Sequence, residues 1–133
     1  MTVYDSSVLV EYLSGTERAV EYVESNADRR AVAPPIVLYE IYQGEVFKSG
    51  SANFDAVDDA LSWVTVLDQT RAMARAAGEL QNDLHKGGQS LAARDAFIAG
   101  IATAFGDTLA VADSDFDVEG IREQVDVDFI EPG

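Results

Sequence analysis

Residues 2–9, with the sequence TVYDSSVL, contain a short apolar strand, an acid at its end and the first turn of a helix. The acid is Asp5, and Ser6 and Ser7 open the amphipathic helical pattern that follows it. In open parallel sheets, binding and catalytic sites form beyond the carboxyl ends of the strands. This stretch therefore predicts a strand–helix unit with a functional carboxylate at its turn.

The rest of the chain alternates between strand-like and helical patterns. Strands are predicted at 3–5, 30–33, 63–67, 109–111 and 127–130, and helices at 7–13, 17–25, 34–49, 54–61, 69–84 and 91–105. Such alternation is typical of parallel strands that are joined by helical crossovers. No linker, repeat or low-complexity tract interrupts it, so we expect a single α/β domain over residues 1–133.

The composition argues against several classes of protein. Apolar residues make up 47% of the chain, which favours a packed core over disorder. No apolar run approaches the roughly 20 residues that span a bilayer, and the amino terminus has neither the basic nor the apolar part of a signal peptide. Cysteine is absent, which excludes disulfides and thiolate metal sites. We expect a cytoplasmic protein with no membrane partner.

The chain is strongly acidic, with a formal net charge of −15. Such a surface repels nucleic acid at low salt. At 1 M salt the Debye length is about 3 Å, which removes most of this repulsion. We therefore interpret the charge as an adaptation to the cytoplasm of a halophile. The alternative is a DNA mimic or an acidic interaction module, and the apolar periodicity along the whole chain argues against it.

Three further acids share the unusual placement of Asp5. Asp113 closely follows the predicted strand 109–111, while Glu40 and Asp95 interrupt apolar helical stripes, because residues three, four and seven apart share a helix face. A buried ionised carboxylate is costly unless it is paired. The basic residues are too few to pair with all four acids, so a divalent cation is the remaining partner. An all-oxygen ligand set suits Mg²⁺ or Mn²⁺ and not zinc.

Each acid also has a purely structural interpretation. Asp5 could cap the helix that follows it, and Asp113 could be a turn residue. Glu40 would be exposed if the helical phase were shifted, and Asp95 could pair with a buried arginine such as Arg71 or Arg75. Two apolar stripes are interpreted as core, or alternatively as a dimer or partner groove: residues 8, 9, 12 and 13, and residues 39, 42, 46 and 47.

The order of these parts resembles the PIN domain, most closely the VapC-type toxin of toxin–antitoxin pairs. The resemblance rests on four stretches: 3–9 (VYDSSVL), 38–41 (LYEI), 94–102 (RDAFIAGIA) and 108–116 (TLAVADSDF). It covers essentially the whole chain. It implies a three-layer α/β/α sandwich around a parallel sheet, and a metal-dependent endoribonuclease that leaves a 5′-phosphate and a 3′-hydroxyl. It also implies an RNA substrate, a cognate antitoxin and a homodimer.

The resemblance also implies roles for individual residues. Asp5, Glu40, Asp95 and Asp113 correspond to the catalytic acids that bind Mg²⁺ or Mn²⁺, and Asp115 could add a fifth carboxylate. Ser6 falls where the family often has a hydroxyl beside the first aspartate, which could hold a carboxylate or the scissile phosphate. Next to Asp95, Arg94 could contact a phosphate, or it could form a surface salt bridge.

One stretch departs from the family pattern. Val111 and Ala112 stand where the family usually has Thr, often followed by a basic residue. This loss motivates a non-catalytic binding module of the same fold as an alternative function. An RNA-processing nuclease without an antitoxin is a second alternative. A haloacid-dehalogenase-type phosphatase would need an aspartate two residues after Asp5, where Ser7 stands.

Overall fold

A computed structural model describes residues 1–131, so the last two residues of the predicted domain lie outside the described part of the chain. Strands and helices alternate along it. The elements are β1 (Thr2–Tyr4), α1 (Ser6–Leu13), α2 (Glu17–Ser25), β2 (Ala31–Ala33), α3 (Pro35–Phe47), α4 (Phe54–Ala60), β3 (Val64–Val66), α5 (Arg71–Lys86), α6 (Ala93–Phe105), β4 (Thr108–Val111), a 3-10 turn (Ser114–Phe116), α7 (Ile121–Gln124) and β5 (Asp126–Phe129).

The five strands form one parallel sheet in the order β3-β2-β1-β4-β5. Among the helices, α1 packs against α2 and α3, whereas α5 packs against α6 and α7. The structure confirms the predicted α/β/α sandwich with a central parallel sheet. From β1 the chain adds β2 and then β3 on one side, up to the edge of the sheet. It then continues to β4, which lies on the other side of β1. The gap between β1 and β4 is therefore the switch point at which α/β sheets bind ligands.

The central strands are buried on both faces, as expected of a parallel sheet that is covered by helices. Val3 in β1, Val32 in β2 and Leu109 in β4 have no exposed surface. Helix α6 lies very close to α5 at Gly100. A Cβ atom added to Gly100 would come within 2.5 Å of the Ala77 backbone. This close approach fixes the position of α6, whose first turn faces the sheet switch point.

The predicted elements agree with the observed ones to within about two residues at most ends, which is the usual uncertainty of helix boundaries. The 3-10 turn and α7 were not predicted, since both are too short to show a hydrophobic period. None of the helices in residues 1–131 is long and apolar enough to cross a bilayer.

One interpretation of the apolar stripes is wrong. Tyr39, Val46 and Phe47 were predicted as core, yet they are 57%, 53% and 79% exposed. Helix α3 instead buries Val37 and Ile41. Because α3 is apolar on nearly every side, its sequence does not indicate which side faces the sheet. In the other stripe, Val8 and Leu9 are fully buried, as predicted, and Tyr12 is half-buried, whereas Leu13 is 37% exposed and the core prediction is wrong there.

Candidate active site

A cavity of about 510 Å³ lies beyond the carboxyl ends of β1 and β4. We call it the acid pocket. Its lining includes all seven residues that the sequence analysis named as site candidates: Asp5, Ser6, Glu40, Arg94, Asp95, Asp113 and Asp115. They come from four separate parts of the chain, namely the β1–α1 turn, α3, the start of α6 and the segment after β4. The pocket thus lies at the switch point of the sheet.

Asp5 caps helix α1 and also faces the pocket. Its side chain is buried, and one oxygen, Oδ2, accepts hydrogen bonds from the Ser7 backbone N–H at 3.1 Å and from the Ser7 hydroxyl at 2.5 Å. The other oxygen, Oδ1, accepts from Arg94 at 2.8 Å. Asp5 therefore caps α1 with one oxygen and faces the acid pocket with the other, while its role in metal binding stays a prediction.

Ser7 is a structural part of the pocket that the sequence analysis did not assign to it. Its hydroxyl donates to Asp5 and accepts from the Ala112 backbone N–H at 2.9 Å. It therefore joins the end of β1 to the segment after β4. The signal that could have found it is a hydroxyl in the first helical turn, two residues after an acid that caps the helix.

Asp95 is the most strongly perturbed acid of the pocket. It lies in the first turn of α6 and is only 7% exposed. Burial raises its pKa above the ordinary value, and the nearby charges of Asp5 and Asp113 act in the same direction. The hydrogen bond from Arg94 opposes this shift without cancelling it. The raised pKa of Asp95 is thus mainly an effect of its burial.

Two of the acids lie toward the outside of the acid pocket. Asp113 is half-buried, and its Oδ1 accepts from the Asp115 backbone N–H at 2.9 Å, which caps the 3-10 turn. Asp115 itself is exposed. The turn interpretation of Asp113 is correct as a description of its hydrogen bond, and the carboxylate still lines the pocket.

Arg94 pairs with three of the four acids, Asp5, Glu40 and Asp95, whereas no ion pair of Asp113 is found among the described residues. Its guanidinium donates to Asp5, to Asp95 at 2.7 Å and to both oxygens of Glu40, one of them at 2.7 Å. Asp95 therefore pairs with its own neighbour and with neither Arg71 nor Arg75. These ion pairs lie within the pocket, where Arg94 is 29% exposed, and not on the open surface.

The guanidinium keeps its proton in this setting. Burial works to lower the pKa of Arg94, but the hydrogen bond to Glu40 and the charge of Asp5 outweigh it, so the pKa is raised. The pocket therefore holds a permanent positive charge among its carboxylates.

The donor atoms of the pocket fit a hard divalent cation, because they are carboxylate and hydroxyl oxygens. The positions of these oxygens have to be considered separately from their chemical type. Among residues 1–131, no three His, Cys, Asp or Glu side chains are grouped so that they could hold a metal ion. The guanidinium of Arg94 lies between the acids that would have to come together.

A second cavity, of about 610 Å³, opens beside helices α3 and α4. We call it the apolar groove. Its lining consists of Tyr39, Tyr42, Gln43, Val46, Phe47, Phe54 and Asp58. The rings of Tyr42 and Phe54 pack edge to face with centroids 5.4 Å apart, and the Tyr42 hydroxyl donates to Asp58. Tyr39 lines the groove and the next residue, Glu40, lines the acid pocket, so α3 contributes to both cavities.

Comparisons with known proteins agree with this architecture. A family model described as "PIN domain" matches residues 2–119. No curated protein matches the chain by sequence.

Three solved structures illustrate the likeness in fold. The chain resembles a chain of VapBC2 from Rickettsia felis bound to a promoter DNA fragment, with a TM-score of 0.80, 20% identity and 98% of each chain covered. It resembles DNA-bound VapBC from Salmonella typhimurium with a TM-score of 0.77, 20% identity and 96% of each chain covered. For a toxin-antitoxin complex from Klebsiella pneumoniae the TM-score is 0.72 at 18% identity, with 91% of this chain and 94% of that chain covered.

Proposed function

The chain belongs to the PIN domain family, and we propose that it is a metal-dependent endoribonuclease that acts as the toxin of a toxin–antitoxin pair. The observation that carries this proposal is the convergence of Asp5, Glu40, Asp95 and Asp113 on one pocket at the switch point of the sheet. The similarity in fold to VapBC and toxin-antitoxin complexes supports it. Fold alone does not define an activity, so the proposal depends on the pocket.

The acids of the pocket have separate tasks in this proposal. Asp5, Asp95 and Asp113 would hold Mg²⁺ or Mn²⁺, with Asp115 at the rim contributing directly or through water. When bound, such an ion lowers the pKa of water and stabilises negative charge on a phosphate group. Asp5 is well suited to a fixed position, since its other oxygen is held by Ser7 at 2.5 Å.

Glu40 is the candidate general base. It is half-buried on α3 and lines the acid pocket. Its carboxylate would take the proton from the water whose oxygen attacks phosphorus. As the P–O3′ bond breaks, the leaving oxygen takes up a proton from solvent water, so the products are a 3′-hydroxyl and a 5′-phosphate. The Ser6 hydroxyl accepts from Arg94 at 2.9 Å, which leaves its own proton free for a phosphate oxygen.

The charge of the chain sets the conditions for RNA binding. A net charge of −15 opposes the approach of RNA at low ionic strength. In the cytoplasm of a halophile, molar salt would screen this repulsion while leaving the partly buried pocket charges less affected. RNA cleavage should therefore be assayed in molar KCl.

The test is cleavage of an end-labelled, unstructured RNA by purified protein in molar KCl, with Mn²⁺, Mg²⁺ or EDTA. Cleavage should require the divalent ion and should disappear in Asp5→Asn and Asp95→Asn. Asp28→Asn is the matched control, because Asp28 is an exposed acid outside the pocket. Cleavage that persists in EDTA, or in either pocket variant, would refute the assignment.

We propose further that the apolar groove receives a segment of the antitoxin. Tyr39, Val46 and Phe47 are each more than half exposed, an unusual state for large apolar residues that lie together. The groove has one charged lining residue among those described, Asp58, and the whole chain is acidic. A complementary partner is therefore an amphipathic helix with an apolar face and basic flanks. Because α3 lines both cavities, a partner segment that extends from the groove across α3 would reach the acid pocket and cover it.

This part of the proposal is tested with the protein encoded by a small reading frame directly upstream. The two should co-purify, and the partner should suppress RNA cleavage. Phe47→Ser should weaken the complex, whereas Phe105→Ser should not, because Phe105 is exposed but lies at the end of α6 outside the groove. Self-association of the chain that Phe47→Ser abolishes would instead assign the groove to the expected homodimer. The absence of any such reading frame would favour an RNA-processing nuclease.

A second candidate function is a non-catalytic binding module. It is favoured by one observation, namely that Ala112 lines the pocket where the family often has a basic residue. Val111 is fully buried and supplies no hydroxyl. Calorimetric titration with MnCl₂ separates the two functions, because a binding module would take up no divalent ion.

A further inference from the structure

We propose that Arg94 is a built-in counter-cation of the acid pocket, which competes with the divalent ion for the same carboxylates and has to withdraw before the ion binds. This inference rests on the proposed metal-dependent function and adds a residue of opposite charge to it. The four acids by themselves do not indicate this role for Arg94.

The contacts of Arg94 use all three nitrogens of its guanidinium. Nε donates to Glu40 at 2.7 Å, Nη1 donates to Asp95 at 2.7 Å, and Nη2 donates to Asp5 at 2.8 Å. Nη2 also contacts the second oxygen of Glu40, and it donates to Ser6 at 2.9 Å. A planar guanidinium with fixed donor directions suits this arrangement of acceptors. Almost no donor is left for a phosphate while the side chain is in this position.

The guanidinium also separates the carboxylates of the acid pocket. It contacts Asp5 and Glu40, which are 89 and 54 positions away from Arg94 in the chain, and also its own neighbour Asp95. No three acids among residues 1–131 are grouped as a metal site in this arrangement. A divalent ion that binds to the same oxygens would lie close to a positive charge, which opposes its binding. The ion and the Arg94 guanidinium therefore exclude each other.

The position of Arg94 in the fold permits withdrawal. It is the second residue of α6, in a first turn that has no side-chain cap, and it is 29% exposed. Asp95, by contrast, is held on the buried side of the same turn. Rotation about the side-chain bonds of Arg94 would free its donors at the mouth of the pocket without moving the helix. The released guanidinium could then bind a phosphate of the RNA, so one side chain would serve both forms of the site.

Calorimetric titration of the purified chain with MnCl₂ in molar KCl tests this inference. Arg94→Gln should bind Mn²⁺ about tenfold or more tightly than the wild type, since a competing charge beside the ion is removed. Arg75→Gln is the control, because it removes the same charge from an exposed position on α5 where Arg75 pairs with Glu79 at 2.9 Å. Its Mn²⁺ affinity should equal that of the wild type.

The outcomes separate this inference from the function on which it rests. If Arg94→Gln binds Mn²⁺ only as tightly as the wild type, or more weakly, the counter-cation role of Arg94 is refuted. The proposed metal site itself is not affected by that result. The absence of Mn²⁺ binding by both proteins overturns the metal-dependent function, and the inference with it.

A second measurement uses the unchanged protein, in case Arg94→Gln does not fold. In ¹⁵N spectra of the arginine side chains, the Arg94 Nε–H should shift and exchange faster with water when Mg²⁺ saturates the site. An Arg94 Nε–H that stays unchanged while Mg²⁺ binds would overturn the proposal.

Discussion

Helix α3 lines two cavities of opposite character, the acid pocket through Glu40 and the apolar groove through Tyr39. In the pocket, charges that would repel one another are compensated within the chain by Arg94. In the groove, aromatic and aliphatic side chains stay exposed, with no compensating cover from the described residues. The difference indicates that the chain itself compensates charge in the acid pocket, whereas covering the apolar groove is left to a partner. A buried carboxylate without a partner is costly, so the chain itself pairs Asp5 and Asp95, whereas an exposed apolar surface can be covered later by a partner.

The largest expected effect comes from a single substitution on the side of α3 that lines the acid pocket. Glu40→Gln should lower RNA cleavage about 100-fold or more, because the proposed general base is lost. Partner binding should change far less than RNA cleavage, since Glu40 does not line the groove that anchors the partner. Single-turnover cleavage and titration with the upstream partner measure the two effects. Loss of both properties together would show that the cavities are not independent.

Changing the neighbouring residue should give the reverse pattern. Tyr39→Ser should weaken partner binding about 10- to 100-fold, because a large aromatic anchor is removed from the interface. Free Tyr39→Ser should cleave RNA at the wild-type rate. Fluorescence titration and the cleavage assay give the two values. A Tyr39→Ser protein that binds its partner normally would place the interface elsewhere.

A smaller effect is expected from the support of the pocket. In Ser7→Ala, Asp5 loses a hydroxyl donor and the Ala112 backbone N–H loses its acceptor. Unfolding free energy should fall by about 1–2 kcal/mol, and Mn²⁺ affinity by about tenfold. Urea unfolding and calorimetry measure these changes. The partner affinity serves as the control and should change less than the Mn²⁺ affinity, because Ser7 lies outside the groove that anchors the partner.

The smallest effect is expected from restoring a basic residue at the pocket rim. Ala112→Lys should raise RNA affinity a few-fold in moderate salt and less in molar salt, because one added phosphate contact is screened by ions. Filter binding in Ca²⁺, at two KCl concentrations, measures the change. A gain that is independent of salt would mean that the lysine acts through the fold and not through its charge.

The candidate acids could be found from the sequence because their signals are local. Asp5 and Asp113 follow apolar strands, and Glu40 and Asp95 break apolar helical stripes. The structure places all four in one pocket, while their roles in binding metal and cleaving RNA stay predictions. The positioning role of Ser7 could not be predicted, since it depends on a backbone N–H that is 105 residues away.

The sequence by itself determined the α/β class, the order of strands and helices, and the set of acids, because hydrophobic period and strand-end position are properties of short segments. Only the tertiary structure decided where Arg94 lies and which side of α3 is exposed. Arg94 contacts acids from three segments, and no local pattern specifies a contact between residues that are 89 positions apart. Helix α3 is apolar on nearly every side, so its packing against α1 and α4 selected the buried side.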